Sequence, residues 1–187
     1  MSYFSSKSTW LSLVDTAEAK KASVPRSEIT NPDAVVSSTA ADWTAMTAED
    51  YDYLRIVRDL RHRLFFHFKE WEFGPSLMED HIRMAQAETN AEEALVHYCH
   101  ARHVAVTLLT RGPQPEYLLA MLETNRAIAE IHSLMGNADS CELYAKEGMD
   151  VIRRNKFSAS MDMQITKLTV RFLNLLRGQK IIPGAEG

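Results

Sequence analysis

The stretch Pro115-Glu-Tyr-Leu-Leu-Ala-Met-Leu-Glu-Thr-Asn-Arg-Ala-Ile-Ala-Glu-Ile-His-Ser-Leu-Met-Gly136 decides how this chain folds. At the helical period, Leu118, Leu119, Met121, Leu122, Ile128, Ala129, Ile131 and Leu134 spread over much of the circumference rather than along one stripe. A helix that is apolar on more than one side has to be flanked on more than one side. Pro115 and Glu116 suit a first turn, because proline lacks an N–H that would be unpaired there and an acid complements the positive end of the dipole. Gly136-Asn137 closes the helix.

Outward from that stretch, the chain from Thr47 onward predicts six consecutive helices. Upstream, Asn90 with Glu93 opens one that reaches Thr110 and ends at Arg111-Gly112-Pro113. Downstream, Asp139 and Glu142 start another, whose last turn carries Arg153 and Arg154. Ser158 or Ser160 caps the next, which ends at Arg177-Gly178. Its stripe of Met161, Ile165, Leu168, Phe172 and Leu176 opposes Lys167, Arg171 and Asn174. Earlier in the chain, Thr47 with Asp50 resembles a capping box and opens a helix to about Trp71. Its stripe is Leu54, Val57, Leu64, Phe68 and Trp71, and Gly74-Pro75 stops it. A shorter helix runs from Leu77 to about Ala87. Acids at helix starts and bases at helix ends complement the dipole, at about 0.3–1 kcal/mol each. Short links make sequential helices antiparallel. The expected fold is therefore all-α: antiparallel helical hairpins stacked as a short α-solenoid or irregular bundle over residues 48–178.

Residues 1–47 read differently. Trp10, Leu13, Val14 and Ala17 mark a short helix, with Ser8 as its cap. Between Ser23 and Thr47 the periodicity dissolves around Pro25, Asn31-Pro32 and Ser37-Ser38, which predicts an extended arm. Val35, Val36 and Trp43 give that arm apolar handholds, on its own helices or on a partner. Residues 179–187 form a short tail.

The chain has 187 residues, 45% hydrophobic and 25% charged, with seven glycines and six prolines, enough for a real core and too little Gly and Pro for a fibrous or low-complexity chain. Twenty-one Lys and Arg against twenty-five Asp and Glu leave a net charge of −4, which supplies no overall field to gather nucleic acid or anionic lipid. Cys99 and Cys141, in helical and partly apolar contexts, suit a reducing compartment. No apolar run approaches the roughly 20 residues of a membrane span, and the start lacks a basic segment followed by an apolar one. An intracellular, cytoplasmic location is expected. The serine-rich start leaves the mitochondrial matrix open, although it lacks arginine and carries Asp15 and Glu18.

About residues 120–153 carry Ala129, Gly136, Cys141, Tyr144, Ala145 and Gly148 between Asn125 and Arg153. This segment resembles one tetratricopeptide unit, with a glycine before the turn and a tyrosine and small residues in the second helix. Asn125 stands where the family's tryptophan falls, and Arg153 where it has a closing proline. Shifting by one repeat in either direction finds no comparable match. The resemblance implies a concave groove faced by Glu123, Arg126 and Glu130. It also implies that a clamp for a terminal carboxylate would want a base at Arg126 and an asparagine at the position of Glu130. An acid there repels a carboxylate, and the alternative for all three residues is a solvated helix face.

Two constellations invite chemistry. Glu93, His97 and His100 share a helical face, with His103 beyond, so a carboxylate and two imidazoles could hold zinc or iron. The paired Glu-x-x-His motifs of di-iron bundles, His-Glu-x-x-His and Cys-x-x-Cys are all absent, which favours a surface or interface histidine cluster. Arg55, Arg58, Arg61, His62 and Arg63 form a basic stretch that could meet phosphates, but Asp50, Asp52 and Asp59 favour local ion pairs. Phosphate-loop, dinucleotide-fold and serine-elbow motifs are missing. Phe65-Phe66-His67-Phe68 and Trp71 read as core.

The sequence therefore predicts a non-catalytic module that binds other protein subunits, with no cofactor and with Glu123, Arg126, Glu130 and Trp43 as partner-binding residues. The alternatives are a metal-binding protein or enzyme using Glu93, His97 and His100, and a nucleic-acid binder using Arg55 to Arg63.

Overall fold

The computed structural model describes residues 48–178. The expected N-terminal helix, the arm with Trp43 and the 179–187 tail lie outside the described residues. Among those described, all regular structure is helical and there is no strand. The six expected helices are present: α1 (Ala48–His62), α2 (Gly74–Ala87), α3 (Ala91–Leu109), α4 (Pro115–Leu134), α5 (Ala138–Arg154) and α6 (Asp162–Leu176). They belong to two compact units, the first ending at Asn90 and the second beginning at Ala91.

In the first unit α1 packs on α2. The helix expected to continue to Trp71 leaves α geometry at His62, widens into a π-helical segment over Arg63–His67, and breaks at Lys69, whose φ is 61°. The apolar stripe continues in sequence, but the backbone folds back along it. The Trp71 ring in the 3₁₀ turn Trp71–Phe73 thereby meets the edge of the buried Phe65 at 5.2 Å. Gly74-Pro75, expected to stop a helix, instead begins α2, where proline's missing N–H has no intrahelical partner to lose. Val57, Leu60 and Leu64 form the buried cluster, with Phe68 and Phe73 against it. Arg61 of α1 donates to Asp80 of α2, and both are buried.

In the second unit α4 is central: it packs on α3, α5 and α6, while α5 also packs on α6. This is the multiple flanking that its apolar circumference demands. Met121, Leu122, Ala127, Ile128 and Ala129 are buried, whereas Leu134 in the last turn is 75% exposed. Gly136 closes α4 at φ 75°: its N–H donates to Ser133 O and the Asn137 N–H to His132 O, the paired bonds of a Schellman end. The link to α5 is then so short that the chain reverses, and the Asn137 side chain accepts from the Ser140 N–H at 3.3 Å to cap α5.

Cys141, Ala145, Met149, Leu168, Phe172 and Leu175 complete this core with Leu122 and Ala129. Burying each of the large apolar side chains is worth roughly 1.5–3 kcal/mol. Ser158 and Ser160 do not cap α6. Their hydroxyls bond each other at 2.8 Å, and a 3₁₀ turn over Ala159–Met161 leads into the helix. Acids do sit in the first turns of α3, α4, α5 and α6, but bases occupy the last turns of only α1, α4 and α5.

Candidate protein-binding face

Glu123, Arg126 and Glu130 recur at three- and four-residue steps along α4, so the helix places them in one row. The row lies on the part of α4 that its neighbours leave half-buried. Arg126 bridges it: Nε donates to Glu123 Oε2 at 3.1 Å and Nη1 to Glu130 Oε2 at 2.5 Å. From α6, Arg171 Nη1 approaches Glu130 Oε1 at 3.8 Å. Arg171, which the sequence stripe placed opposite the core, thus turns toward α4 and extends the row across a second helix.

Electrostatics fix the protonation of Arg126. Burial works against the charge of Arg126, but Glu130 and then Glu123 outweigh it and hold the guanidinium protonated. The Tyr98 phenol of α3 lies within their field; burial is the main cause of its raised pKa, opposed by Arg126 and reinforced by Glu130 and Glu123. Helix pairs of this spacing are worth about 0.2–0.5 kcal/mol each, so they set the shape of the face more than they stabilise the fold. With Arg126 engaged by two acids, it is not poised to clamp a carboxylate.

A second polar cluster was not read from the sequence. Arg102 of α3 donates through Nε to Asn125 Oδ1 at 2.7 Å and through Nη2 to Glu147 of α5, and its guanidinium lies 5.6 Å from the centroid of the Tyr144 ring. Asn125 is fully buried, and its Nδ2 has no hydrogen-bond partner among the described residues. The available signal was an asparagine inside an apolar helix, but its partners lie on other helices and cannot be found by local spacing. The His132 ring stacks on the same Tyr144 ring at 5.9 Å.

The alternative constellations are not assembled in the same way. Glu93, His97 and His100 lie on α3, with Glu93 and His100 exposed. Among the described residues, no group of three or more His, Cys, Asp or Glu is placed to hold a metal ion. In the basic stretch, Arg55 pairs with Asp52 at 3.2 Å, Arg58 with Asp59 at 2.6 Å, and Arg61 with Asp80 in the interior. Burial pushes both thiols above the usual cysteine range; Arg102 partly opposes this at Cys99, and a hydrogen bond with Ser133 does so at Cys141. Neither shift is the lowering that activates a thiol nucleophile. Among the described residues, no helix is long and apolar enough to cross a membrane.

Comparison with protein-family models, curated proteins and solved structures finds no match to this chain.

Proposed function

We propose that this chain is a non-catalytic protein-binding module, an adaptor or structural subunit of a larger assembly. The observation that carries the reading is the ionic row Glu123, Arg126, Glu130 and Arg171. Two neighbouring helices hold it half-buried and pre-ordered, with two acids and two bases in alternation. Such a row recognises a partner by matching its charge pattern rather than by bulk attraction, giving specificity and register. The packing of α4 on both α5 and α6 supports a short stack of hairpins. It also agrees with the tetratricopeptide-like reading of about residues 120–153, in which this row faces a groove. Trp43 and the 23–47 arm would complete the contact.

The test is purification of the untagged full chain at low salt, with identification of any polypeptide recovered in fixed stoichiometry. The reading predicts that such a polypeptide is lost from the Glu123→Lys plus Glu130→Lys variant while the helical circular-dichroism signal stays. Absence of a stoichiometric polypeptide, or its retention by the variant, contradicts it.

A further inference from the structure

His132 closes the last turn of α4, and its ring is stacked on Tyr144 of α5 with an interplanar angle of 13°. Its Nδ1 is buried and has no hydrogen-bond partner among the described residues. A neutral imidazole tolerates this, with the lone pair on Nδ1 and the proton on Nε2; an imidazolium must carry a proton on both nitrogens. Protonation would therefore create a buried N–H with no acceptor among the described residues. It would also add a second cation to a ring that already lies beneath Arg102, 5.6 Å away.

The charged and titratable groups around this cluster leave that conflict in place. From α3 come Arg102 and Cys99, and from α5 come Tyr144 itself and Glu147, which Arg102 engages. From α6 comes Arg171, directed at Glu130, and Glu130 also accepts from Arg126 on its own helix.

We propose that His132, Tyr144 and Arg102 form an acid-sensitive clasp that holds α3, α4 and α5 together most tightly while His132 is neutral. Burial lowers the His132 pKa from the ordinary 6.5, in the same direction as the geometry. A basic group depressed in the folded state is neutral in both states above 6.5. As the pH falls below that value the unfolded chain takes up the proton first, so stability is lost on the acid side. The clasp does not depend on what the ionic row binds.

The experiment follows the imidazole C–H resonances of the full chain by NMR between pH 4.5 and 8, with His132 assigned by its absence from the His132→Gln spectrum. The expected result is a His132 midpoint below 6.5 that moves up in Arg102→Met and is retained in Arg102→Lys. If Arg102→Met does not fold, Arg102→Gln serves instead, with the same upward shift expected. Urea midpoints should fall more steeply below pH 6.5 for the wild type than for His132→Gln. A His132 midpoint at or above 6.5, or parallel acid losses in the two proteins, overturns the clasp.

Discussion

A β-carbon built on Gly148 would lie 2.3 Å from Cζ of Phe172, and the Phe172 ring is fully buried, with no open side to which it can move. The glycine named through the tetratricopeptide resemblance is thus required by the approach of α6 to α5. Gly148→Ala gains about 1 kcal/mol of helix propensity but overpacks the core at a cost of about 1–3 kcal/mol. We expect a net loss of about 1 kcal/mol in chemical denaturation. Adding Phe172→Leu should cost less in that background than in the wild type. Equal or greater stability of Gly148→Ala would show that this contact is not tight. Gly136 is different: open space surrounds its missing side chain, and its positive φ alone accounts for glycine there.

At the scale of elements, two buried polar contacts tie helices together. Asp80 is 2% exposed, so Asp80→Ala takes away a buried carboxylate partner of the Arg61 guanidinium, with an expected loss of about 3–5 kcal/mol in urea unfolding. The Arg61→Met plus Asp80→Leu pair should recover most of that loss; failure to do so would mean that the pair is needed for more than charge compensation. In the second unit, Arg102→Met leaves buried Asn125 Oδ1 without its donor, at about 1–3 kcal/mol. A double-mutant cycle with Asn125→Leu should show coupling of about 0.5–3 kcal/mol, whereas additive losses would separate the two residues. These contacts also mark where sequence reading ends. The boundaries of α4 and α5 were legible because proline, glycine and asparagine act locally. The break at Arg63–Trp71 was not, because Leu64, Phe68 and Trp71 keep helical spacing across it and the choice of a π turn is made by tertiary packing. Arg61 and Arg102 were visible as charges, but the partner of the first lies 19 residues away and those of the second 23 and 45.

At the scale of the molecule, the periodicity of apolar residues determined the class of fold, and the central place of α4 followed from its all-round hydrophobicity. Glu123, Arg126 and Glu130 were named through the tetratricopeptide resemblance, as groove-facing residues; their pairing into one ionic row comes from three- and four-residue spacing on a helix. Its extension through Arg171 was hidden, since it depends on how α6 rolls against α4. On the function proposed above, a partner binds at this row. The most direct measurement is the affinity of the recovered partner polypeptide, by calorimetry, for the wild type, for Glu123→Lys plus Glu130→Lys, and for Glu142→Lys on an exposed part of α5. Affinity should be lost in the first variant and unchanged in the second. Equal affinities for all three, or loss in Glu142→Lys alone, would contradict that proposal.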